Sequence, residues 1–194
     1  MELKVLKEND IIEYLKRVLD NWRFVHSLSV ATTAANLASV YNVDVEKARL
    51  AGLLHDITKN MPFDQQIKLL ELNGYHLSTQ DMNAKSVVHG YSGAYLSREK
   101  YNIDNEVFRA IFTHTMGEPG MSDLQKIIFV SDYIEPFRDN IDGIDDLRKM
   151  AFNNLDLTVY SVSKRTLDYL VATGRPIHSQ TVKVCDFYKN LNNL

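Results

Sequence analysis

Apolar residues along this chain recur at intervals of three and four rather than two, the spacing of helices that bury one face. A short helix is predicted over residues 10–19, with Ile11, Ile12, Leu15 and Leu19 inward. A longer one over 21–41 turns Phe24, Leu28, Ala31, Ala35 and Ala38 to the core and carries His26, Ser29, Thr33 and Asn36 as a polar stripe beside them. Asp44 suits the N-cap of a helix over 45–58. In that helix Ala48, Ala51 and Gly52 allow a close neighbour, and Leu50, Leu54 and Ile57 fill a core. Pro62 fits the first turn of a helix over 62–73, and Gly74 its end. Helices over 84–100 and 104–115 follow, then a break at Met116-Gly117-Glu118-Pro119-Gly120. Ser122-Asp123-Leu124-Gln125 has the pattern of a capping box opening a helix over 123–134, which Pro136 stops. After a polar loop at 137–143, helices are predicted at about 144–152, 155–173 and 180–191. No run alternates with strand period and no internal repeat is visible. The expectation is an all-α helical bundle without simple up-down symmetry, one domain over residues 1–194.

Several polar residues break this pattern from inside. His55-Asp56 interrupts the apolar run of Leu53, Leu54 and Ile57. Asp132 lies four after Ile128 and eight after Leu124, so it continues an apolar stripe. His114 lies three after Ile111 and seven after Val107, and His26 lies next to the inward face of its helix. A carboxylate on an inward face is costly unless it is paired or metal-bound. Separate partners would be needed for four such residues on four helices, whereas one shared cation satisfies several at once. Imidazole and carboxylate together suit hard and borderline ions. Adjacent helical side chains point about 100° apart, so His55 and Asp56 can share an ion only at the helix flank. Lys59 is one turn beyond His55 and can reach the same mouth. Arg23, one turn before His26, reads on spacing alone as a solvated surface charge.

Composition narrows the chemistry. Hydrophobic residues are 45% and charged residues 24% of 194, as in an ordinary soluble domain. A net charge of −3 argues against nucleic acid as a partner, yet leaves room for a local basic pocket that takes a small polyanion. The single cysteine, Cys185, excludes an intrachain disulfide, suits a reducing compartment and is expected simply to pack. No stretch approaches the roughly 20 apolar residues of a membrane span, and no signal region follows Met1-Glu2-Leu3-Lys4. A cytoplasmic protein is expected, with no membrane partner. His76 has the setting of a surface-loop histidine. The acids Asp139, Asp142, Asp145 and Asp146 form a solvated loop and cap without EF-hand spacing. Helices rich in Tyr and Phe leave room for a homodimer.

The order His26, His55-Asp56, Asp132 resembles the HD-domain superfamily of metal-dependent phosphohydrolases. Leu53-Leu54-His55-Asp56-Ile57-Thr58-Lys59, Val88-His89-Gly90-Tyr91-Ser92-Gly93-Ala94, His114-Thr115 and Ser131-Asp132-Tyr133-Ile134-Glu135-Pro136-Phe137-Arg138 together resemble its YqeK branch, from about Trp22 to Ile177. The resemblance implies an HD-domain-like fold with a metal core at about 22–138, and C-terminal helices over 144–191 closing a nucleotide pocket. It implies a small-molecule nucleotide substrate, diadenosine tetraphosphate, cleaved symmetrically to two ADP. The implied cofactor is one or two divalent metal ions, iron first, with manganese, cobalt, nickel and magnesium as alternatives. Carried over by position, the metal ligands are His26, His55, Asp56 and Asp132. Asp56, Lys59, His89 and His114 take the catalytic roles, with both histidines on the substrate side. Arg23, Lys59, Thr115, Tyr133 and Arg138 surround the nucleotide, and Arg175-Pro176-Ile177-His178 closes over it. Met116 and Tyr91-Ser92 depart from the branch pattern and bear on pocket shape. An HD-type nucleotidase, a phosphodiesterase for another nucleotide, and a non-catalytic nucleotide sensor are the competing readings.

Overall fold

The computed structural model describes residues 8–138 and 141–194, and every regular element among them is helical. Residues 1–4 and Asp139 lie outside the described residues. In chain order the helices are α1 (Glu8–Val18), α2 (Asn21–Val40), α3 (Val45–Leu54), α4 (Phe63–Leu72), α5 (Thr79–Asn83), α6 (Val88–Tyr101), α7 (Asn105–Thr113), α8 (Asp123–Ile134), α9 (Ile144–Ala151), α10 (Leu155–Ala172) and α11 (Ser179–Leu191). The expected all-α class is what the chain adopts. No helix among the described residues is long and apolar enough to cross a membrane.

Local chemistry sets many of these boundaries. Asp44 accepts from the amides of Glu46 and Lys47 at 3.0 and 3.1 Å, capping α3 as predicted. Ser122 and Gln125 form the reciprocal capping box that opens α8. That helix stops at Ile134 because Glu135 precedes a proline, and Glu135 adopts an extended ψ of 150°. Gly74 follows α4 with a φ of 75°, which a side chain would resist.

Four predicted boundaries or faces need correction. The helix expected over 45–58 ends at Leu54, and His55-Asp56 lies in the turn beyond it. The helix expected over 104–115 ends at Thr113, one residue before His114. The segment expected to be helical from 84 begins with a 3-10 turn at Lys85–Val87, and α6 starts at Val88. On α2 the buried face runs through His26, Val30, Ala34 and Leu37, while Phe24, Leu28 and Ala35 are only half-buried. The face shifts because α2 is covered on two sides, by α3 and by α8. His26 thus lies within the buried face, not beside it.

The main core joins α1, α2, α3, α7, α8, α9 and α10 through residues such as Leu15, Leu37, Leu54, Ile111, Ile128 and Val159. A methyl group on Gly52 would come within 2.7 Å of the Ala31 Cα, so α2 and α3 meet backbone to backbone there. A second cluster of Leu70, Val88, Tyr91 and Met116, lined by Tyr75 and Phe112, sits between α4, α6 and the end of α7. Cys185 is buried, as expected.

Candidate metal centre

The two helices that stop early do so at histidines. The His55 ring donates from Nδ1 to the carbonyl of Gly52 at 2.7 Å. That carbonyl is the one the Asp56 amide would take in a continuing helix. The chain instead turns, with Ile57 donating to the Leu54 carbonyl at 3.1 Å and Lys59 to that of Asp56 at 2.8 Å. His114 repeats the device, its Nδ1 lying 2.7 Å from the carbonyl of Ile111. A carbonyl only accepts, so each Nδ1 carries the proton and each Nε2 is the free nitrogen.

These free nitrogens converge. Nε2 of His55 lies 3.3 Å from Nε2 of His26, which in turn lies 3.0 Å from Oδ1 of Asp132. Asp56 stands between two sets of imidazoles. Its Oδ2 is 3.7 Å from His55 Nε2 and 4.0 Å from His26 Nε2, while its Oδ1 is 3.0 Å from His89 Nε2 and 3.8 Å from His114 Nε2. Two triads result, His26–His55–Asp132 and His55–Asp56–His114, each with donor atoms within 4.8 Å of one another. Nitrogen lone pairs facing at such distances repel unless positive charge lies between them. The donor set, imidazole nitrogen with carboxylate oxygen, fits a divalent metal ion. His26, His55 and Asp56 are buried, and Asp132, with 25% of its side chain exposed, marks the open side.

Electrostatics keep His55, Asp56 and Asp132 in ligating form and draw positive charge to His26. Burial pushes His55 down to about 3 and His89 down to about 4, against the pull of Asp56 on both, so both rings are neutral near pH 7. Burial opposes ionisation of Asp56 and Asp132, yet neighbouring imidazoles outweigh it and hold both carboxyls well below the usual range, with Arg138 adding to the effect at Asp132. For His26 burial is likewise outweighed, by Asp132, Asp56 and Glu135, and its pKa is raised. Burial lowers the pKa of Lys59 despite the two acids.

Three cations line the mouth. Arg23 donates to Asp56 Oδ2 at 3.0 Å, Arg138 to Asp132 Oδ1 at 3.1 Å, and Lys59 Nζ lies 3.1 Å from His89 Nε2. The Thr58 hydroxyl donates to the His89 carbonyl at 2.9 Å and tethers the 55–60 turn to α6. The structure therefore gathers nine of the residues singled out above: His26, His55, Asp56, Asp132, His89, His114, Lys59, Arg23 and Arg138.

The others stand apart. Thr115 packs against Gly90 with its hydroxyl buried and unpartnered. Tyr133 is half-buried against the main core. Arg175 lies over the ring of Tyr169 at 5.3 Å, Pro176 is exposed and Ile177 is 41% exposed. His178 caps α11 by accepting from the Gln180 amide and turns Nε2 to within 3.4 Å of Asp81. No hydrogen bond or ion pair joins residues 175–178 to the metal cluster. His178 alone of the four borders a cavity of about 200 Å³, lined also by Tyr75, Asp81, Tyr91, Phe112 and Met116. Met116 and Tyr91, the two departures in the motifs, are both in its wall.

Two residues escaped sequence reasoning. Glu135, fully buried, accepts from Nδ1 of His26 at 3.2 Å. Its place three after Asp132, on the same helical face, was the available signal. Trp22 stacks on His26, rings 5.2 Å apart and 6° from parallel, and its position four before His26 was the signal there.

Comparison with known proteins agrees with this geometry. Residues 23–136 match the family model described as HD domain. The chain is 39% identical over 178 residues to a Staphylococcus aureus protein named bis(5'-nucleosyl)-tetraphosphatase, symmetrical, covering 89% of this chain and 90% of that one. A Bacillus subtilis protein of the same name is 30% identical over 91% of this chain and 94% of its own. A solved structure from Clostridium acetobutylicum, titled a predicted HD superfamily hydrolase involved in NAD metabolism, superposes with a TM-score of 0.92 at 36% identity, covering 96% and 98% of the two chains. The chain belongs to the HD-domain family of metal-dependent phosphohydrolases.

Proposed function

We propose that this protein hydrolyses diadenosine tetraphosphate symmetrically, water entering at one inner phosphorus and the central phosphoanhydride bond breaking to release two ADP. The observation that carries the reading is the convergence of His26, His55, Asp56 and Asp132 beneath three cations, Arg23, Lys59 and Arg138. The names of the relatives supply a bis(5'-nucleosyl) tetraphosphate as the substrate class and the symmetry of cleavage.

In this reading His26, His55, Asp56 and Asp132 hold a divalent ion, iron first. Such an ion supplies charge stabilisation for the phosphoryl group and makes water more acidic. Asp56, between the two sets of imidazoles, accepts the proton of the attacking water. His89 and His114 face the bridging oxygen, and the charge that builds there as ADP departs is met by Lys59, 3.1 Å from His89 Nε2. Lys59, Arg23 and Arg138 neutralise the phosphate chain and fix it in line, which is most of what catalysis of phosphoryl transfer requires. The cavity beside residues 175–178 receives part of the nucleotide, with the C-terminal helices as its outer wall.

The test is incubation of metal-loaded protein with diadenosine tetraphosphate and chromatography of the products. ADP alone supports the reading. ATP with AMP overturns the assigned attack site. No turnover, together with release of phosphate from nucleoside monophosphates, replaces it with the nucleotidase reading.

A further inference from the structure

The reaction proposed above needs room for two nucleosides, since a substrate cut at its centre extends equally far on both sides of the reacting phosphorus. The 200 Å³ cavity provides for at most part of this. Beside the metal cluster stands a half-exposed aromatic residue. Trp22 is 51% exposed although it is the largest apolar side chain available, and it lies in the first turn of α2. Its indole is nearly parallel to the buried His26 ring, at 5.2 Å between centroids. The Arg23 guanidinium lies 4.6 Å from the same indole and at the same time reaches Asp56 at 3.0 Å. Arg23 therefore links the indole to the metal cluster, and about half of the Trp22 surface remains open to solvent.

An arginine that meets phosphate beside a half-exposed aromatic ring suits one arm of a nucleotide, because every base has a π-face that stacks. We infer that Trp22 is the stacking platform for one nucleobase of the dinucleotide, so that Trp22 and Arg23 form the half-site for one nucleoside diphosphate arm. This rests on the proposed substrate. The indole acts on binding and position, and takes no part in the chemistry.

The chain has a single tryptophan, so its fluorescence reports this residue alone. Metal-loaded protein is titrated with a hydrolysis-resistant methylene analogue of diadenosine tetraphosphate and, separately, with inorganic tripolyphosphate. Saturable quenching by the analogue with little change from tripolyphosphate supports a stacked base. Equal responses to both, or no response to a bound analogue, overturn it. Kinetics give the second arm. Trp22→Ala is expected to raise KM for diadenosine tetraphosphate about tenfold or more with metal content unchanged, and Trp22→Phe to recover most of the loss. Loss of metal along with activity in Trp22→Ala would make the indole a prop for His26 and overturn the inference. If wild-type protein fails to cleave the dinucleotide at all, it is the parent reading that falls, which keeps the two failures distinct.

Discussion

Glu135 accepts a hydrogen bond from His26 Nδ1 at 3.2 Å from a position with no solvent exposure, and so fixes which nitrogen of that ring faces the cluster. The second oxygen of Glu135 is held by the Phe137 amide at 2.8 Å, so the carboxylate cannot swing away. Partners of this kind usually contribute about 10–100-fold to metal affinity. Glu135→Gln should weaken metal binding by about that factor with little change in fold, measured by competition with a chelator. Unaltered affinity would reduce Glu135 to a packing role.

Asp132 is the acid at the open side, within 3.0 Å of His26 and 3.1 Å of Arg138. Asp132→Ala should abolish metal retention and lower kcat by about three orders of magnitude, roughly what loss of a principal charge-stabilising group costs. Elemental analysis alongside turnover checks both at once. Metal retained at full stoichiometry would remove Asp132 from the ligand set.

Gly52→Ala tests how the site depends on helix contact. The new methyl would meet the Ala31 Cα at 2.7 Å and its amide nitrogen at 2.9 Å, both backbone atoms that cannot swing aside. Separation of α2 from α3 should cost about 1–3 kcal/mol, as overpacking does, and lower Tm by several degrees. Because His26 rides on one helix and the chain after the other carries His55, metal affinity should fall with it. Thermal melts with and without metal separate the two effects.

Asp81 yields a pH prediction far from the metal. Its burial favours the neutral acid, but the Ser78 hydroxyl and amide, the Tyr91 hydroxyl and His178 outweigh this and lower its pKa below 3.8. A depressed carboxyl adds stability above its unfolded value and loses it as pH falls through the folded value. Asp81→Asn should therefore lower Tm near neutrality, with the difference from wild type shrinking as pH drops below about 4. A constant gap across that range would show that charge plays no part.

Much of this arrangement was legible in the residues because it repeats simple rules. Helical period located the long elements, and Asp44, Ser122 and Pro136 marked real ends. Inward polar residues such as Asp132 and His114 stood out against apolar stripes. Periodicity does not register a side chain competing for a backbone carbonyl, so the turn that His55 makes with Gly52 reads as helix in the sequence. The five residues of α5 are too few to show a period at all. Glu135, beside Pro136, had the look of a loop end, and only tertiary packing brings it under His26. The segment 175–178 rests on likeness rather than residue physics, and the fold seats His178 against Asp81.

The pairing of Arg23 with Asp56 and of Arg138 with Asp132 has a consequence for salt sensitivity. A doubly charged ion held there would balance those two carboxylates and leave the guanidinium groups and Lys59 as surplus positive potential at the entrance. The whole chain is acidic, so this potential is a local funnel within a repelling surface. Polyphosphate capture should consequently slow steeply as ionic strength rises, while the rate of bond cleavage once the dinucleotide is seated stays level.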